Sequence, residues 1–202
     1  MLKLDIDNEN RPPDASLALW RLGFRPFYLL AGMLAAVSVF LWVAQASGWI
    51  GATAYLQGPL WHAHEMIFGY AFAVIVGFLF TAVRNWAGQP TPSGNVLAAI
   101  ASLWLAGRFL VLTPWPALSA ITDMAFAIAA AAGIGVPLIK SRNQRNYFFI
   151  AVLLAIGAAN LVFVLAMAGI IDVEVRRGIQ LGLDLVMFIM VVMGGRVIPM
   201  FT

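Results

Sequence analysis

Six apolar stretches of about twenty residues each, separated by short polar breaks, leave this chain few folds to choose from. A helix crossing the hydrocarbon core of a bilayer needs about 20 apolar residues. The candidates are Phe27–Ser47, His62–Val83, Asn95–Leu112, Ala117–Ile139, Tyr147–Ile170 and Gln180–Met200. The breaks carry turn chemistry: GQPTPSGN at 88–95, TPWP at 113–116 and KSRNQRN at 140–146. In lipid only a helix or a closed barrel satisfies its own backbone. Segments of this length predict an all-α, polytopic membrane bundle of six helices over residues 27–202, preceded by a polar tail over 1–26. Composition closes off the soluble alternative. The chain is 62% hydrophobic and 10% charged over 202 residues, whereas a soluble domain carries about 25% charged residues.

Ala44-Gln45-Ala46 has the small-x-small form of a signal-peptide cleavage site. The apolar stretch before it is too long for such a signal, and the residues ahead mix acids and bases, so a retained helix is expected. The net charge of +3 is spread over loops, with no basic run suited to nucleic acid. There are no cysteines, which excludes disulfides, thiolate metal sites and c-type haem attachment through this chain.

Lysine and arginine placement sets the expected orientation. With both termini cytoplasmic, the inner side collects Lys3, Arg11, Arg21, Arg25, Arg84, Lys140, Arg142 and Arg145. The outer loops hold Arg176 and Arg177, offset by Asp172 and Glu174. Trp49, Trp61, Trp86 and Trp115 fall near segment ends, where tryptophan anchors helices at the interface.

A charge inside hydrocarbon costs at least about 2.5–3.5 kcal/mol, so each one needs a partner or a purpose. Counting from the segment ends, His62, His64, Glu65, Arg108, Asp123 and Asp184 all fall in the outer leaflet. Arg108 and Asp123 lie at similar depth on a short-loop hairpin and are expected to pair. The restrained alternative is a structural staple, with Asp184 capping the last helix.

WHAHEM, residues 61–66, holds both histidines of the chain beside Glu65. On a helix, residues two apart point about 200° away from each other, so His62 and His64 would face different neighbours. His62 and Glu65 would then share a face, and the carboxylate could orient the imidazole. In an extended segment His62, His64 and Met66 would share a face, a donor set suited to copper. The sequence leaves both readings open, and a hydrogen-bonded structural role for the histidines stands beside them. Two histidines two residues apart cannot ligate opposite faces of one haem, so at most one axial ligand can come from this pair.

Met187, Met190 and Met193 form a stripe expected to serve packing. Gly178 and Gly182 form a G-x-x-x-G expected to serve close helix approach. Asn160 is expected to bond a neighbouring helix. Gly-rich phosphate loops, serine nucleophile motifs and H-E-x-x-H are absent.

Four stretches resemble the NnrS family: LGFRPFYLLAG at 22–32, WHAHEMIFGYAFAVIVGFLFTAVRNWAG at 61–88, LWLAGR at 103–108 and MGGRVIPMFT at 193–202. The resemblance covers most of the chain. It implies a multi-pass protein of the bacterial inner membrane, associated with nitric oxide metabolism and denitrification. It further implies bound haem and copper and a role in tolerance of nitrosative stress. By the same resemblance His62, His64 and Glu65 match an HxHE-type segment, and Arg84, Arg108 and Arg196 match arginines of the family's motifs. Family members continue past GGRVIPMFT with further helices and histidines, so this chain is expected to correspond to an N-terminal half.

The expected cofactor-binding residues are thus His62, His64, Glu65 and Arg108, and the expected metal ligands His62, His64 and Met66. The expected partners are the lipid bilayer, nitric oxide or a related small ligand, and a C-terminal half or another membrane subunit. Two other functions fit the same residues: a transporter for a small ion or metal, and a structural membrane partner of a redox subunit. Neither the motifs nor the resemblance establishes enzymatic turnover.

Overall fold

The structure, a computed structural model, describes residues 18–49, 55–56 and 58–198. Six helices account for most of them: α1 (Phe24–Ala46), α2 (Gly58–Ala87), α3 (Gly94–Leu110), α4 (Pro116–Lys140), α5 (Phe148–Met167) and α6 (Arg176–Val197). No strand occurs among the described residues. The fold is an all-α membrane helix bundle. Five helices are long and apolar enough to cross a membrane, while α3, at 17 residues, is shorter. At 1.5 Å per residue α3 spans about 26 Å, slightly less than a hydrocarbon core of about 30 Å. The polar tail expected over residues 1–26 falls largely outside the described residues; Ala18–Arg21 within it forms a 3-10 turn. Pro199 and Met200, at the expected end of the last helix, also lie outside them.

Local chemistry sets the boundaries. Gly88 ends α2 in the left-handed region at φ 60°, a conformation that costs glycine nothing. Pro116 opens α4, where a missing N–H is harmless. α2 is composite. It is α-helical over Gly58–His64, π-helical over Glu65–Ala71 and α-helical again over Phe72–Ala87. Seven residues of π winding are long for this rare form, which concentrates at functional sites.

α2 is the central element and packs against all five other helices. Its apolar window is 61% buried, against 22% for α1 and for α6. The core around it is aromatic. Phe126 of α4 meets Phe27 of α1 at 5.8 Å and Phe72 of α2 at 5.2 Å between ring centroids. Lipid tails are as apolar as leucine, so packing rather than water exclusion must hold these helices together. Small residues make that packing close. Gly157 of α5 leaves no room for a methyl group beside Ala127 of α4.

The G-x-x-x-G expected to serve close approach does so. Gly178 lies against the backbone of Phe163 on α5, and Gly182 against Phe68 and Ile67 on α2. A Cβ on Gly178 would sit 2.6 Å from Phe163 Cα and N, atoms that cannot turn aside. Gly178→Val is therefore expected to lower stability by about 1–3 kcal/mol. Thermal unfolding in detergent checks this. Gly32→Ala, with nothing within 4 Å, should be neutral or stabilising by about 0.5–1 kcal/mol.

Two expectations drawn from spacing need correction. Trp49 and Trp115 are exposed near helix ends, but Trp61 is only 2% exposed. The start of α2 turns inward and places its indole with Leu56, Val111 and Phe163. In the methionine stripe Met193 packs against the core as expected, but Met187 and Met190 are exposed. Their face of α6 points away from the bundle.

Candidate functional site

Five side chains from four helices meet in a closed ring near the end of the bundle that carries the histidines. They are His64 and Glu65 of α2, Arg108 of α3, Asp123 of α4 and Asn160 of α5, and none is more than 6% exposed. Their common depth follows from counting. Arg108 is two residues from the end of α3, while Asp123 and Asn160 each lie seven from the end of their helix. The hairpin α3–α4 and the packing of α5 on α4 then bring these levels together.

Arg108 is the hub. Its Nη1 donates to Glu65 Oε1 at 2.7 Å, and its Nη2 donates to Asp123 Oδ1 at 2.5 Å. The pair expected between Arg108 and Asp123 is present, and Glu65 shares the same guanidinium. Asn160 Nδ2 donates to Asp123 Oδ2 at 2.8 Å. Its other atom, Oδ1, lies 2.9 Å from His64 Nε2. Nε2 must carry a proton there, because the amide oxygen only accepts. His64 Nδ1 lies 3.0 Å from Glu65 Oε1 and closes the ring.

This wiring fixes the charge balance. Arg108 and Asp123 cancel. Between Nδ1 and Oε1 there must be one proton, held as imidazolium with carboxylate or as imidazole with carboxylic acid. Either form makes the ring neutral and completes every bond. Without that proton two lone pairs would face each other and a net negative charge would be buried, which is costly in a low-dielectric interior. Arg108 Nε is buried with no partner among the described residues, and both bonds to Glu65 fall on Oε1.

The surroundings hold the ring in place. Phe68 and Phe163 flank the His64 imidazole at 5.1 and 5.3 Å. The guanidinium lies 5.8 Å from the centre of the Trp104 ring, and Trp104 Nε1 donates to the carbonyl of Gly69 at 3.2 Å. Gly69 belongs to the π segment, where a Cβ would sit 3.0 Å from Arg108 Nη1. Nearby, the Tyr55 hydroxyl is 3.3 Å from Ser119 Oγ. Burial pushes the Tyr55 phenol up to about 12, so it stays protonated at neutral pH.

His62 has a different setting. WHAHEM is helical, so His62 turns away from His64 and stacks on Trp42 of α1, with centroids 4.7 Å apart and planes at 13°. Its Nδ1 is buried and has no hydrogen-bond partner among the described residues. The same holds for Trp61 Nε1 and for Gln45 Oε1, one turn beyond Trp42. Glu65 contacts His64 rather than His62. Met66 is partly buried.

For a metal, the two histidines therefore differ. Both ring nitrogens of His64 are engaged, whereas the buried Nδ1 of His62 has no partner among the described residues. Both terminal nitrogens of Arg108 are likewise taken by carboxylates. No group of three or more His, Asp or Glu able to hold a metal ion occurs among the described residues. His62 thus fits one ligand position of a haem or copper site, and the described residues do not complete the set.

The other arginines singled out by resemblance lie at the opposite end of the bundle. Arg84 is exposed near the end of α2. Arg196 donates from Nη1 to Asn146 Oδ1 at 2.6 Å and packs over Trp86, Phe148 and Phe149. It borders a cleft of 780 Å³ together with Phe24, Tyr28, Phe78 and Arg145. Asp184, expected in the polar cluster, is exposed on α6 outside the ring.

The family described as NnrS protein has a model that matches residues 18–202. No curated protein and no solved structure matches the chain.

Proposed function

The chain belongs to the NnrS family, and from that membership we propose that it takes part in the cell's response to nitric oxide as a haem- and copper-associated protein of the bacterial inner membrane. The ligand this chain contributes is His62, with Met66, four residues on, as a further soft donor. A bound haem iron or copper supplies the centre at which a diatomic gas coordinates. Nitric oxide dissolves in the bilayer, so a site at membrane depth needs no polar entry path.

One observation carries the assignment of His62: its Nδ1 is buried, has no hydrogen-bond partner among the described residues, and its ring is held by stacking on Trp42. A buried polar atom without a partner is costly, and coordination removes the cost. His64, Glu65 and Arg108 act one step removed. Their ring fixes the π segment that begins immediately after His64, and it keeps a shared proton and a balanced charge close to the metal ligand. Such surrounding groups commonly set the affinity and potential of a site.

His62→Ala is expected to lose most of the bound iron or copper while the helical content stays unchanged. Metal analysis of the detergent-purified chain, with a reduced-minus-oxidised absorption spectrum, reads this directly. Wild-type metal content in the variant overturns the assignment of His62. A folded wild-type chain free of both metals overturns the proposal that this chain holds a site.

A further inference from the structure

Asp184 stands in the wrong solvent. It lies eight residues into α6 and four past Gln180, where the apolar stretch begins, about 6 Å inside a core of about 30 Å. Its side chain is exposed and takes part in no hydrogen bond or ion pair among the described residues. Exposed leucine, methionine and phenylalanine on the same helix need no explanation, because lipid covers them. A carboxylate facing lipid does. It is too short to reach the interface as a long lysine or arginine can.

The surface beside it is shaped for a helix. Ala155, Ala158, Ala159 and Val162 of α5, with Leu181 and Leu185 of α6, line a shallow apolar groove of 420 Å³ that Asp184 borders. Small residues at such positions let another backbone come close.

We propose that this α5–α6 groove seats a transmembrane helix from outside residues 18–198 that carries an arginine or lysine at the depth of Asp184. Charge decides the occupant. A second copy using the same face in two-fold symmetry would set Asp184 against Asp184. Nor does the described surface offer a cation at that depth. Every exposed lysine or arginine among the described residues lies at or near a helix end, and Arg108 is buried and paired. The seated helix must therefore bring its own basic side chain, and none of the ring residues lines the groove. The proposal is independent of metal binding by His62.

The test uses the full chain reconstituted in phosphatidylcholine vesicles with labelled synthetic transmembrane peptides. The host peptide is a leucine-alanine helix with arginine eight residues from one end; the control has leucine at that position. Energy transfer between chain and peptide gives the affinities. The arginine peptide is expected to bind about tenfold tighter than the leucine peptide, the factor given by about 1.4 kcal/mol of pairing. Asp184→Leu should erase that difference, and Ala158→Phe, which fills the groove without touching the charge, should weaken both peptides. Asp184→Leu places an apolar residue toward lipid and should fold as the wild type does. Equal binding of the two peptides to the wild type, or a preference that survives Asp184→Leu, overturns the proposal. Self-association of the chain that Asp184→Leu abolishes would instead assign the face to a second copy and also overturn it.

Discussion

Arg108→Ala is expected to cost about 3–5 kcal/mol of stability, the largest effect of any single substitution in this chain. The guanidinium faces two carboxylates at once, Glu65 and Asp123, and all three groups are within 6% of full burial. Removing it leaves a net negative charge in a buried site and takes the donor from both carboxylates. Taking up a further proton relieves the charge but leaves the carboxyl oxygens that faced the guanidinium without their donor. Arg108→Lys should recover part of the loss, because a point cation cannot bridge both acids as the planar fork does. A combined Arg108→Met, Glu65→Gln, Asp123→Asn variant should recover most of it, since a ring without charges has none to strand. Unfolding by sodium dodecyl sulfate, followed by circular dichroism, measures these differences. Stability of Arg108→Ala within about 1 kcal/mol of the wild type would mean that the ring is not charge-coupled.

Asn160→Ala should cost about 2–4 kcal/mol although it removes no charge. Asn160 is the one member of the ring without an ionisable group, and it serves two partners. Its amide gives a proton to Asp123 and takes one from His64. Alanine leaves His64 Nε2 and Asp123 Oδ2 buried without partners, and an unmade bond costs more than a made bond gains. A double-mutant cycle with Asp123→Asn isolates the coupling. The two losses should fall short of additivity by about 0.5–3 kcal/mol, the range found for residues in one network. Additive losses would mean that Asn160 acts alone.

These effects rest on tertiary contacts that sequence reading reached only in part. Depth was legible. A residue's distance from the end of an apolar run can be counted, and that count placed His64, Glu65, Arg108 and Asp123 at one level. Asn160 was reachable by the same signal, as a polar residue seven from the end of its helix, but its two partners were not. Direction around the helix axis was not legible. Each residue turns the helix by about 100°, so a small error in register sends a side chain to a different neighbour. His62 and Asp184 lie at the right level yet point elsewhere, one onto Trp42 and the other outward from the bundle. The spacing rule that put Glu65 with His62 assumed regular α winding. The chain instead enters a π segment at Glu65, and the wider winding lets adjacent His64 and Glu65 meet.

The sequence by itself determined the class of fold, the helical spans and the level at which the polar residues gather. Those follow from transfer energies along one dimension, because each residue's preference for lipid or water is its own property. Only the tertiary structure decided which of them touch. Closure of the ring, the stacking of His62 on Trp42 and the outward placing of Asp184 depend on how the six helices are rotated against one another. That rotation is set by packing at Gly178, Gly157 and Gly69, where a missing side chain lets a neighbour approach, and no single segment contains that information.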